Sequence, residues 1–316
     1  GKRCHPARER LTHHAMKQPA LGVIADDFTG ATDVAGMLVQ AGMSALLAIG
    51  VPPADAVLDA DAIVVALKSR TVPAADAVRE SQAALERLRA AGCRRFYFKV
   101  CSTFDSTPRG NIGPVAEALM AALGTDFAIA CPAFPENGRS VYRGHLFVGD
   151  LLLSDSGMRN HPLTPMTDAN LVRWLQAQTT LRVGLLRHDA VAAGTDAVAA
   201  RIAALRADGV RIAVADAIDN ADLRTLGAAC ADLPLVVAGS GLALGLPVPY
   251  AARGWVRPDA KAAALPAVGG HAAVLSGSCS TATNAQVQHW LQAGQPAFRI
   301  DALRLAEGAP LAAQAL

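Results

Sequence analysis

The stretch "LGVIADDFTGATDVAG", residues 21–36, decides the fold. Leu21 to Ala25 form a continuous small and apolar run, as expected of a parallel strand covered on both faces. Asp26 and Asp27 close that run, a Thr-Gly step follows, and from Gly30 to about Ala41 the apolar spacing turns helical. A buried strand running directly into a helix is the opening of a β-α-β unit. The junction also raises a question of charge. One carboxylate there can cap the helix, but a second beside it costs desolvation and repulsion.

The same alternation continues downstream. Strands are expected at 44–50, 62–68, 94–100 and 126–134, with helices at 73–92, between Pro73 and Gly92, and at 111–123. Residues 135–157 are dense in glycine and turn residues and read as a hairpin or lid. A helix capped by Thr167 is expected to run to about Thr179. Alternation resumes through 182–186, 195–207, 211–215, 220–231 and 234–238, and ends in the glycine-rich exit "GSGLALGLP", 239–247. The fold class is therefore α/β, a mostly parallel sheet with helices on both faces. Residues 1–17 read as an extension or tag remnant and 18–246 as one α/β domain. The Pro- and Ala-rich stretch 247–270 reads as a linker. From 271 to 316, a strand at 272–278 and a helix after it begin a second domain that is too short for its own α/β core.

Bulk numbers set limits. Of 316 residues, 52% are hydrophobic and 18% charged, which excludes disorder and supplies a sizeable core. A net charge of +2 gives no reason to expect nucleic acid or an anionic membrane as partner. The six cysteines are scattered, with no C-x-x-C pair, and read as buried thiols of a reducing cytoplasm. No apolar run is long enough to span a bilayer. The chain is expected to be cytoplasmic; homo-oligomerisation stays open.

In parallel sheets ligands bind at the carboxyl ends of the strands. Asp26, Asp27 and Thr29 leave the first strand, and Lys68, Ser69 and Arg70 leave the third. Lys99, Ser102, Thr103, Asp105, Ser106 and Arg109 leave the fourth. This mixture suits a small, polyhydroxylated, anionic substrate. Arg70 or Arg109 can grip a carboxylate, and one Asp can act as general base. A second group, "GSGLALG" and "LSGSCSTATN", offers small residues ahead of helices, where backbone N–H groups meet phosphate. Neither a P-loop nor a G-x-G-x-x-G is present.

Taken in order, "GVIADDFTGATDVAG", "ALKSR", "YFKVCSTFDSTPRGNIGPV", "CPAFPENGRSVYRGHLFVGD", "SGMRNHPLTPMTDANL", "GSGLALGLP" and "VLSGSCSTATN" resemble the four-carbon acid sugar kinases, most of all the 3-oxo-tetronate kinase branch. The resemblance implies transfer of the ATP γ-phosphate to the C4 hydroxyl of a 3-oxo four-carbon sugar acid in acid sugar catabolism. It implies an N-terminal domain for the sugar acid and a C-terminal domain for ATP, with Mg2+ assisting. By position it puts Asp26, Asp27, Arg70 and the Asp105–Arg109 segment on the substrate side, Asp26 or Asp27 supplying the base. Ser276, Gly277 and Ser278 fall on the ATP side, with Lys99, Ser102 and Ser106 beside the sugar acid. The family continues further, into a glycine-rich "GGETS"-type nucleotide motif, so this chain is expected to hold the substrate site and part of the ATP site.

Three other readings compete. The chain could act on threonate or erythronate, or be a non-catalytic sugar-acid-binding fragment. A haloacid-dehalogenase-type phosphatase needs D-x-D-x-T, and the order here is D-D-F-T.

Overall fold

A computed structural model describes residues 17–265, 267–308 and 310. The extension 1–17 lies outside the described residues except for Lys17, whose ammonium meets the Asp61 carboxylate at 3.1 Å. The chain divides into two units, 1–264 and 265–316.

The first unit runs β1 (Leu21–Ala25), α1 (Phe28–Gln40), β2 (Ala45–Ile49), β3 (Ala62–Ala66), α2 (Ala74–Ala90), β4 (Arg95–Lys99), α3 (Ile112–Leu123) and β5 (Ala128–Cys131). A small excursion follows: β6 (Arg139–Tyr142), β7 (His145–Val148), β8 (Leu151–Leu152) and α4 (Leu171–Gln176). The main pattern then resumes with β9 (Val183–Leu186), α5 (His188–Ala192), α6 (Thr195–Ala207), β10 (Ile212–Ala215), α7 (Asn220–Cys230), β11 (Leu235–Ala238) and α8 (Pro247–Ala252).

Eight strands form one sheet, in the order β2-β3-β1-β4-β11-β5-β10-β9. Every pairing in it is parallel. β1, β3, β5, β10 and β11 are buried along their whole length, which is why they read as unbroken apolar runs. The order reverses at β1: the chain first lays β2 at the sheet edge and then β3 between β2 and β1, and next crosses over to lay β4 on the other side. The carboxyl ends of β1 and β4 therefore flank a topological switch point, where open α/β sheets form their crevice.

Residues 135–157 form the expected hairpin, extended to an antiparallel sheet β6-β7-β8. Its first turn has two central residues, Arg143 at φ 50° and Gly144 at φ 74°, as a primed two-residue turn demands. The helix expected from Thr167 starts later. Asn170 caps α4, its side chain accepting from the Arg173 N–H at 3.0 Å, while the Ala169 carbonyl accepts from the Leu146 N–H of the hairpin at 3.0 Å. The stretch read as a linker, 247–270, begins as α8, with Tyr250 buried against Trp255.

The second unit contains α9 (Thr281–Gln292), capped by Ser280, and α10 (Ala302–Ala306), capped by Asp301. Residues 272–278, expected as a strand, are not one. No neighbouring strand of this unit lies among its described residues, and a strand without a ladder leaves its backbone groups unpaired.

Candidate active site

The site is built where β1, β3 and β4 end side by side. Asp26 follows β1 and is buried. Its backbone N–H donates to the Lys99 carbonyl at 3.1 Å, and its own carbonyl accepts from Ser69 and Arg70 N–H at 3.0 and 3.2 Å. The three strand exits are thereby tied together by main chain alone.

Side chains complete the tie. Arg70 Nε and Nη2 donate to Asp26 Oδ2 and Oδ1 at 2.9 and 2.8 Å, a bidentate pair. Nη2 also lies 2.8 Å from Asp27 Oδ1, and Nη1 lies 3.7 Å from Asp105 Oδ2. One guanidinium thus serves three carboxylates. Burial pushes the Asp26 carboxyl above its ordinary pKa, with Arg70 and Lys99 pulling the other way. Burial also opposes the Arg70 cation, but its contacts with Asp26 prevail and raise its pKa.

Asp27 has a different environment. Its Oδ1 accepts from the Gly30 N–H at 2.9 Å and caps α1, besides meeting Arg70. Among the described residues nothing donates to its Oδ2, and about a quarter of its side chain is exposed. Both sequence explanations of the pair meet in one residue: the carboxylate that caps is also the one with a free oxygen.

The remaining predicted residues separate into groups. Lys99 is buried; its ammonium donates to the Val100 carbonyl at 2.7 Å and sits against Gly30, where an added Cβ would come within 2.5 Å of it. It acts as an internal counter-charge, neither a surface lysine nor a free grip. Arg70, expected to hold the substrate's carboxylate, has its Nε and Nη2 on Asp26 and Asp27 and its Nη1 3.7 Å from Asp105. Asp105 is held by Thr103 Oγ1 at 2.5 Å in a turn where buried Phe104 adopts φ 54°, a left-handed backbone uncommon for a bulky residue. Ser106 was expected at the substrate, but its hydroxyl donates to the Phe104 carbonyl and accepts from Trp174 Nε1 and Gln178 Nε2 at 2.9–3.0 Å. It is a buried joint between this turn and the α4 region. Ser102 is half-buried and Arg109 exposed, both in the segment between β4 and α3. Ser276, Gly277 and Ser278 lie in the second unit, exposed on the chain leading into α9. Among the described residues no group of three or more His, Cys, Asp or Glu side chains could hold a metal ion.

Two residues that sequence reasoning missed belong to this cluster. Gly30 packs under Asp27 and Lys99 with no room for a side chain. Asn111, read only as part of a helix start, reaches into the loop that carries Arg70. A glycine in the first turn of a helix, where propensity disfavours it, was the available signal for the first. Nothing local marks the second.

A family model described as a sugar-binding N-terminal domain matches residues 21–246. The chain is 63% identical over 302 residues to a 3-oxo-tetronate kinase of Cupriavidus necator, covering 95% of this chain and 70% of the relative. It is 64% identical to the same-named enzyme of Burkholderia multivorans, over 96% and 70% of the two chains. For the 3-oxo-tetronate kinase of Escherichia coli the identity is 48%, over 93% and 75%. A solved Haemophilus influenzae protein of the family DUF1537 superposes with a TM-score of 0.75 at 46% identity, over 90% of this chain and 67% of that one. A Bordetella bronchiseptica domain of unknown function, solved with bound citrate as a domain-swapped dimer, gives 0.60 at 35% identity, over 72% of this chain and 56% of that one.

Proposed function

The chain belongs to the 3-oxo-tetronate kinase family, and from that premise we propose that it transfers the γ-phosphate of ATP to the C4 hydroxyl of a 3-oxo four-carbon sugar acid. The observation that carries this reading is the free Oδ2 of Asp27, whose other oxygen meets Arg70 and the Gly30 N–H, at the β1/β4 switch point.

The chemistry follows from that placement. The sugar's C4 oxygen attacks the γ-phosphorus as Asp27 Oδ2 takes its proton, and the bond to the bridging oxygen breaks to release ADP. A positioned base of this kind contributes roughly 10²- to 10⁴-fold. Asp26 does no proton transfer here; it holds Arg70, and Arg70 in turn orients the Asp27 carboxylate through Oδ1. Because three carboxylates face two cations, Arg70 and Lys99, the acid end of the substrate is kept away from this floor and its hydroxyl end is admitted. We assign the sugar acid to 18–246 and the start of the nucleotide-binding part to 271–316, where the backbone at Ser276–Gly277–Ser278 ahead of α9 would meet phosphate. Mg2+ would supply charge neutralisation as a complex with the phosphates of ATP. A cytoplasmic location goes with this substrate pair, and the domain-swapped Bordetella relative makes a homo-oligomer a reading to test by sedimentation.

An ATP-consumption screen of the whole protein over four-carbon sugar acids tests the proposal. The 3-oxo-tetronates are expected to give the highest kcat/KM, ahead of threonate and erythronate. Release of phosphate from a sugar phosphate without ATP would overturn it in favour of a phosphatase.

A further inference from the structure

Asn111 stands at the N-cap of α3, where an asparagine ordinarily bonds its own helix. It makes no such bond. Its side chain, buried to 7% exposure, turns away: Nδ2 lies 2.8 Å from the Ser69 carbonyl, 3.2 Å from that of Arg70 and 2.8 Å from that of Val72. These three carbonyls belong to the loop that leaves β3 and carries Arg70. The other side of the loop is fixed by the Ser69 and Arg70 N–H groups on the Asp26 carbonyl. The Arg70 backbone is thus clamped at its N–H by β1 and at its C=O by α3, and the clamped residue sends its guanidinium to Asp26, Asp27 and Asp105.

We propose that Asn111 is a positioning residue for phosphoryl transfer, acting through Arg70 to aim the free oxygen of Asp27. This rests on the kinase reading above. The chemistry is specific to an amide: the loop presents only acceptors, so the group that meets it must donate. A carboxylate of the same size would set oxygen against oxygen. Removing the donor leaves the loop's carbonyls to find other partners, which moves Arg70. A displacement on the order of 1 Å at a reacting group costs about a hundredfold in rate.

The test is a double-mutant cycle in the whole protein, using Asn111→Ala and Arg70→Lys, the latter keeping the counter-charge while losing the bidentate grip. In the parent background Asn111→Ala is expected to lower kcat roughly 10- to 100-fold with the KM for ATP unchanged. In the Arg70→Lys background the same change is expected to cost less than about twofold, because its route to the reaction is already broken. In parallel, the Nε–H of Arg70 is expected to exchange slowly with water in the parent and quickly in Asn111→Ala, read by nitrogen NMR. Asn111→Ser, which keeps one donor, is expected to fall between and covers the case in which the alanine variant does not fold. Equal losses in both backgrounds, or unchanged Nε–H exchange, would overturn the positioning role while leaving the kinase reading intact. A parent protein that phosphorylates no four-carbon sugar acid would overturn both.

Discussion

Asp26 and Asp27 are neighbours in sequence and opposites in chemistry. Both oxygens of Asp26 are held by Arg70, and its side chain is about one-twentieth exposed. Removing its charge takes the bidentate partner from a half-buried guanidinium that keeps Asp27 at 2.8 Å; breaking one side of a fully buried pair costs about 3–5 kcal/mol, which sets the upper end here. Asp26→Asn is therefore expected to lower the unfolding midpoint sharply. Asp27→Asn is expected to do the reverse: turnover falls by roughly 10²- to 10⁴-fold while stability changes by less than about 1 kcal/mol, since asparagine caps a helix as well as aspartate. Steady-state kinetics and thermal unfolding of the two variants separate the roles; normal turnover in Asp27→Asn would remove it as the base. Gly30 supplies a second residue-scale prediction. Helix propensity alone says that Gly30→Ala should stabilise by about 1 kcal/mol. The added methyl, however, would collide with Asp27 Oδ1 and approach the buried Lys99 ammonium to 2.5 Å. Overpacking of this kind costs about 1–3 kcal/mol, so the expected sign is destabilising, with lost activity, in the same two assays.

At the scale of elements, the turn after α4 is tied to α3 by Glu117. Its Oε1 accepts from the hydroxyl of Thr179 and from the N–H and hydroxyl of Thr180, the latter two at 2.7 and 3.2 Å. Burial works against this carboxylate, but those hydrogen bonds prevail and lower its pKa. A folded pKa below the unfolded one gives stability that is fully present above the unfolded value, about 4.3, and is lost as pH falls through the folded one. Glu117→Gln is expected to lower the midpoint by about 2 °C at pH 7 and by less as pH drops below 4, measured by thermal scans across the acidic range. Elements of this kind mark what the sequence made legible. The strands could be read because a strand covered on both faces must be apolar throughout, and the adjacency of β3, β1 and β4 brought their polar exits together as expected. Contacts between elements distant in the chain could not be read. Asn111 and Ser106 are polar residues after a strand like any other, and only the packed structure shows that one clamps a loop and the other joins Trp174 and Gln178. The strand expected at 272–278 failed for a related reason, since an apolar run becomes a strand only beside a partner.

At the scale of the whole molecule, the two units differ in what they can do alone. All eight strands of the main sheet lie between Leu21 and Ala238, so the first unit contains its own core and every residue of the Asp26–Arg70 cluster. A kinase must hold its two substrates together, and any coupling between their binding is reciprocal: the factor by which a nucleotide changes the affinity for the sugar acid equals the factor in the other direction. Calorimetry of the whole protein is expected to show that equality, with a factor of about 5 or more, for a non-hydrolysable ATP analogue and a four-carbon sugar acid. A fragment spanning 1–264 is expected to fold, to bind the sugar acid, and to give no heat with the analogue. Analogue binding by the fragment would move the nucleotide site into the first unit and remove Ser276–Gly277–Ser278 from it. Sugar-acid binding by the whole protein with no heat from the analogue, whether or not the acid is present, would instead favour a binding protein over a kinase, because phosphoryl transfer needs both ligands held together in one complex.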